Sequence, residues 1–205
     1  MFEVADYIGI IAFSMSGFFV ATRNHLDLLG VLIATFLTAL GGGIIRDITI
    51  NETPYTFSHS YPAIIVMSVI ILMIIFKFHK KDSIENKFLF ILSDSIGLIS
   101  FSISGALIAL SHHLNLTGVL TLSFITAVGG GIARDIIINE VPFVFKTGFY
   151  GTISLLIAIV LYILNYVEMI STYTILILFV VGVALRIIAF YLKWSIPLTQ
   201  KSSKN

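Results

Sequence analysis

Two phrases carry most of the chemistry in an otherwise apolar chain: GGGIIRD, Gly41 to Asp47, and GGGIARD, Gly129 to Asp135. Glycine is about 1 kcal/mol worse than alanine inside a helix, so three together predict a hinge or a local unwinding at Gly41, Gly42, Gly43 and at Gly129, Gly130, Gly131. Close packing through small residues is the plainer alternative. Arg46, Asp47, Arg134 and Asp135 are costly in lipid, which predicts that they face the interior of a bundle and have partners there. Neighbours on a helix point about 100° apart, so Arg46 and Asp47 are poorly placed to neutralise each other. Asp6 and Arg46 fall at one depth, and Asp94 and Arg134 at another, which predicts two ion pairs between spans. An unwound triplet would leave Asp47 and Asp135 near the start of a half-helix, whose positive dipole end favours a carboxylate. Asn51 and Asn139, four residues on, would share that face and present an amide beside an acid, a pairing suited to a hydrated cation. A polar network that only locks the helices together is the alternative.

Softer candidates surround these. Ser14, Ser16, Ser102, Ser104, Thr38 and Thr126 are positioned to line a wet path, although such hydroxyls commonly bond their own helix backbone. Arg186 is near the cytoplasmic end of the last apolar run, where it can snorkel to headgroups or else bias the inner mouth of a pore as a gate. Glu52 and Glu140 read as solvated span-end residues that would attract cations to a mouth. His25, His112 and His113 lack metal-ligand spacing, so no metal site and no cofactor is expected. Cysteine is absent, which excludes thiol chemistry, and the triplets lack the strand and lysine of a phosphate loop, so an enzyme is not expected.

The elements that must position these groups are membrane helices. The chain has 205 residues, 58% hydrophobic and 11% charged, with a net charge of +1 and a mean hydropathy of +1.04. That is too apolar for a soluble domain and predicts an all-α integral membrane protein whose partner is the bilayer. Seven continuous runs approach the roughly 20 residues that cross a membrane: Val4–Thr22, Leu28–Ile50, Pro62–Phe78, Phe88–Leu110, Leu116–Ile138, Thr147–Val167 and Thr172–Leu192. Lysine and arginine outside the runs fall after the first, third, fifth and seventh, including the loop KFHKKDSIENK, which suits anionic headgroups. The positive-inside rule then puts the N-terminus outside and the C-terminus in the cytoplasm of a cell-membrane protein. No patch suits a nucleic acid.

Applying the offset between the triplets, 88 residues (129 − 41), aligns Asp6 with Asp94, FSMSG with FSISG, His25 with His113, and INETPY with INEVPF. About half of the aligned positions through this stretch are identical, which marks an internal duplication. Three spans per copy force the second copy to enter from the opposite side. The predicted organisation is two inverted three-helix repeats, residues 1–87 and 88–168, plus a seventh helix and cytoplasmic tail, residues 169–205. Inverted repeats place their weakened helices face to face near the midplane, where an ion or substrate passes.

The doubled GGGxxRD, the INExP after it and the three-plus-three-plus-one spans together resemble the trimeric intracellular cation (TRIC) channel family, specifically its prokaryotic branch, over nearly the whole chain. The resemblance implies a homotrimer with a pore in each subunit, bounded by second and fifth helices kinked at their glycines. It also implies a monovalent permeant, chiefly potassium, with sodium as another such ion. By motif it carries over to Gly41, Gly42, Gly43, Arg46 and Asp47 and to Gly129, Gly130, Gly131, Arg134 and Asp135. The basic lipid-binding motif of animal relatives has no matching form here. Some bacterial relatives are regarded as transporters of small amino acids, glycine in particular, so a secondary transporter is the second expectation. A purely structural scaffold is a third, and duplicated buried charges argue against it.

Overall fold

In the computed structural model, residues 2–78, 84–146 and 149–194 are described, and every regular element among them is a helix. In chain order they are α1 (Phe2–Arg23), α2 (Leu28–Thr49), α3 (Tyr55–Ser58), α4 (Tyr61–Ile75), α5 (Ile84–Ser111), α6 (Leu116–Ile137), α7 (Phe143–Lys146), α8 (Tyr150–Tyr166) and α9 (Thr172–Tyr191). Five of these, α1, α2, α5, α6 and α9, are long and apolar enough to cross a membrane, while α4 and α8 are apolar but shorter. The expected third run, Pro62–Phe78, is helical only to Ile75, and the expected fourth run is extended at its start to Ile84. Lys80, Lys81, Thr147, Lys201 and Lys204 lie outside the described residues. The short helices α3 and α7 fall where the sequence predicts only span ends.

The 88-residue offset recurs in local structure because the same punctuation recurs in sequence. Asp27 caps α2 by accepting from the Gly30 amide at 2.7 Å, and Asn115 caps α6 by accepting from the Gly118 amide at 2.9 Å. Four helix ends close in the same way, with a left-handed residue: His25 and His113 after α1 and α5, Asn51 and Asn139 after α2 and α6. At each, the following amide reaches back to a carbonyl five residues earlier, as in Leu26 to Ala21 and Glu52 to Asp47, and satisfies an end of the helix that lipid could not.

Equivalent helices pack on each other, α1 on α5 and α2 on α6. The contacts are reciprocal. Gly9 meets the ring of Phe101 and its equivalent Gly97 meets the ring of Phe13; Gly42 meets the carbonyl of Thr126 and its equivalent Gly130 meets that of Thr38. As numbering rises along one helix of each pair it falls along the other, so both pairs run antiparallel. Phe13 and Phe101 themselves meet edge to face, with centroids 5.2 Å apart. The rest of the core is Ile, Leu, Val, Ala and Phe from α1, α2, α4, α5, α6 and α8, while α9 buries little beyond Gly182, Arg186 and Ala189.

Candidate functional site

The triplets are not unwound. Helix α2 runs unbroken through Gly41, Gly42 and Gly43, α6 runs through Gly129, Gly130 and Gly131, and no glycine among the described residues has a positive φ. What the missing side chains allow is close approach. A Cβ on Gly130 would sit 2.5 Å from the Thr38 carbonyl oxygen, one on Gly42 would overlap the Thr126 carbonyl, and Gly41 faces the Cα of Gly130. The third glycine of each triplet serves differently. The nearest group to a Cβ on Gly43 would be Nη2 of Arg46 at 3.8 Å, and to one on Gly131 Nη2 of Arg134 at 3.9 Å. Those positions border the guanidinium groups at ordinary contact distance.

Because α2 continues, Asp47 lies in its last turn rather than at the start of a half-helix, and the dipole argument for a carboxylate there fails. Its oxygens are taken up instead. Arg46 folds back on its neighbour, donating from Nε to Asp47 Oδ1 at 2.8 Å, and the amide of Tyr55 at the start of α3 donates to Oδ2 at 2.9 Å. Asp135 repeats this with Arg134 Nε at 2.8 Å and the Phe143 amide of α7 at 2.7 Å. The expectation that adjacent arginine and aspartate are poorly placed to neutralise each other is therefore corrected. The long arginine side chain spans the 100° that the backbone imposes. Each aspartate ties a helix end to the short helix after it.

The two clusters then diverge. Arg46 Nη1 also reaches both oxygens of Asp6, at 2.9 and 3.0 Å, and Ser104 of the other half at 2.9 Å. The equivalent pair between Arg134 and Asp94 is not formed. Arg134 donates a long bond to Thr38, 3.4 Å, and Asp94 accepts from Ser16 and from the Tyr150 hydroxyl, both at 3.2 Å. Tyr150 stands 88 positions after Pro62, so the first copy has no equivalent of the hydroxyl that Asp94 accepts. Tyr150 also forms a platform for Arg186, whose guanidinium lies 4.6 Å above its ring and 5.7 Å from that of Phe190. Arg186 does not snorkel. It is 1% exposed, and its Nε and Nη1 have no hydrogen-bond partner among the described residues.

Ser14, Ser102, Thr38 and Thr126 each donate to the carbonyl four residues earlier in their own helix, at 2.6 Å. Of the predicted hydroxyls, Ser16 and Ser104, with Thr38 as an acceptor, join the charged clusters, in each case across the two halves. Asn51 and Asn139 are left-handed caps beyond the helix ends, not amides on the face of an acid. Glu52 pairs with His112 at 3.2 Å, and Glu140 with Lys146 at 2.6 Å. The Glu140 carboxyl is held below the usual range by the hydrogen bond and charge of Lys146. Tyr150 is a site residue that sequence reasoning does not single out, because nothing in its type or repeat register marks it; an aromatic beside the start of an apolar run reads as core.

A cavity of about 300 Å³ is lined by the buried Arg46 and Asp47, by Asp6 and Gly43, and by Tyr55 and the exposed Glu52 and His112. It brings a guanidinium and several carboxylates to one apolar-walled space.

Comparison with known proteins agrees with this architecture. A family model described as Glycine transporter matches residues 3–79 and 91–166. The chain is 33% identical over 195 residues, 95% of each sequence, to the UPF0126 membrane protein YvgT of Bacillus subtilis. A structure described under "Structural basis for conductance through TRIC cation channels" superposes with a TM-score of 0.83 at 33% identity, covering 100% of both chains. A prokaryotic TRIC channel crystallised in 0.5 M KCl gives a TM-score of 0.86 at 28% identity, covering 95% of this chain and 98% of that one.

Proposed function

We propose, from the premise that the chain belongs to the UPF0126 membrane proteins, the prokaryotic branch of the trimeric intracellular cation channel family, that it is a passive potassium-permeable channel. In this reading the seven apolar helices all span, the N-terminus is outside, and residues 1–87 and 88–168 are inverted repeats that enclose a path running beside the crossing of α2 and α6. The subunit assembles as a homotrimer, as the name of the related channels says of them. The observation that carries the reading is the antiparallel crossing of α2 and α6 at Gly42 and Gly130, with one buried charged cluster on each side of it and a cavity lined by the first.

Pairing is what makes arginines compatible with a cation path. Arg46 is held by Asp6 and Asp47, so the cluster lining the cavity has a formal charge of −1, and a cation approaching it meets a net attraction. Asp47 serves by holding Arg46 and α3 rather than by binding the ion, since both its oxygens are occupied. The triplets supply close contact at their first two positions and border a guanidinium at the third.

One observation favours a second reading, a transporter for a small zwitterion such as glycine. The cavity offers Arg46 to a carboxylate and Asp6 and Glu52 to an ammonium, and the family model that matches is described as a glycine transporter. Reconstitution separates the two. The channel reading expects potassium flux that does not saturate at millimolar levels, with no glycine uptake above protein-free liposomes; saturable glycine uptake without ion current would replace it.

A further inference from the structure

The charged residues of the two clusters correspond across the repeat, with one addition. Asp6, Arg46 and Asp47 correspond to Asp94, Arg134 and Asp135, but Arg186 of α9 has no counterpart at the first cluster. Its guanidinium is over Tyr150, and Tyr150 donates to Asp94. The charges of both Arg186 and Arg134 act on Asp94. The first cluster therefore has a formal charge of −1, and the second, with Arg186 included, of 0. If the equivalent acids Asp6 and Asp94 were both neutral, the difference of one charge would persist.

Arg186 is expensive to keep. It is fully buried, it has two donors without partners among the described residues, and it sits on the one long helix outside the duplication. A structural role alone is poorly served by a cation in that position, since an apolar side chain would pack on Tyr150 and Phe190 without leaving donors bare. We propose that Arg186 is an electrostatic determinant of permeation that the seventh helix contributes: it cancels the negative charge of the inner half of the path and leaves the cation well at the outer half. This rests on the cation-channel reading. Its consequence is rectification built into a nearly symmetric pore, with cations entering more readily from the Asp6 side than from the Asp94 side.

The test is the single-channel current–voltage relation in symmetric KCl at low ionic strength, where fixed charge is least screened. The wild-type protein is expected to pass more inward than outward current at equal and opposite voltages, and high salt should reduce the asymmetry. Arg186→Gln is expected to change the current ratio by on the order of threefold or more toward the outward direction, because it leaves the inner half with its negative charge. Arg186→Lys should keep the wild-type ratio. Asp94→Asn, which retains an acceptor for Ser16 and Tyr150, should move the ratio the opposite way and gives an independent measurement should Arg186→Gln fail to fold. Conducting channels in which neither Arg186→Gln nor Asp94→Asn moves the ratio would overturn this inference and leave the channel reading intact. Absence of cation current in the wild type would remove both.

Discussion

Gly42 of α2 lies against the carbonyl oxygen of Thr126 in α6, with no space for a single added carbon between them. Its repeat equivalent Gly130 lies against Thr38 in the same way. Two residues related by the duplication thus hold the two halves together from opposite sides.

Gly42→Ala and Gly130→Ala should therefore disrupt the assembly of the halves. Backbone cannot yield as a flexible side chain does, so each should cost at least the ~1–3 kcal/mol typical of overpacking. Gly43→Ala and Gly131→Ala meet only ordinary contact and gain up to about 1 kcal/mol of helix propensity. Thermal unfolding of the four variants in detergent, followed by loss of the monodisperse species on size exclusion, should separate the two classes. Equal stability across all four would contradict the packing role.

Asp6→Asn should be harsher than Asp94→Asn. The first removes the carboxylate that receives Arg46 and leaves a buried arginine partly compensated, a change that costs about 3–5 kcal/mol in buried pairs. The second keeps a carbonyl oxygen for the two hydroxyls that Asp94 accepts. Melting temperatures of the two variants are the check, and a larger loss for Asp94→Asn would show that the two clusters are held more alike than their hydrogen bonds imply.

Asn51→Gly and Asn139→Gly should fold and conduct as the wild type does. Both positions have φ near 60°, which glycine adopts without strain, and both lie past the last turn of their helix. Their relative permeability to potassium and chloride measures this; a loss of selectivity would restore the amides to the path.

The pair of Glu140 and Lys146 is exposed, so its worth is small, but its pH dependence has a definite sign. Lys146 holds the Glu140 carboxyl below its ordinary value of 4.5, so the contribution is present above that value and is lost as pH falls through the lower, folded one. Lys146→Met should return the carboxyl to the usual carboxylate range, observable by carbon NMR titration of labelled glutamate. An unchanged titration would show that the pair does not persist in the membrane.

Much of this is legible in the sequence because lipid leaves few options. Continuous apolar runs of this length favour helices, and the 88-residue offset pairs α1 with α5 and α2 with α6, which the structure packs antiparallel. The meeting of Asp6 and Arg46 follows from depth alone. Other features are hidden for physical reasons. Three glycines weaken a helix in isolation, but at Gly42 and Gly130 the opposing carbonyl holds each helix in place, and tertiary packing outweighs propensity. The bond from Tyr150 to Asp94 is hidden because its hydroxyl falls where the first copy has Pro62, so repeat symmetry does not announce it. Nearness to the end of a run suggests snorkelling for Arg186, whereas its burial is decided by the rings of Tyr150 and Phe190, one of them on another helix. Asn51 and Asn139 do carry a signal, asparagine just past a last turn, but the same spacing also fits one more turn of helix.

The central claim is that a hydrated path runs between antiparallel halves and passes the third glycine of each triplet. The chain has no native cysteine, so single cysteines can be placed without background. A positively charged methanethiosulfonate reagent applied to reconstituted channels is expected to block current through Gly43→Cys from the N-terminal side and through Gly131→Cys from the opposite side. Ile48→Cys, on an exposed face of α2, should be unaffected. Full current through both glycine variants after exposure from both sides, with labelling confirmed by mass, would contradict the account.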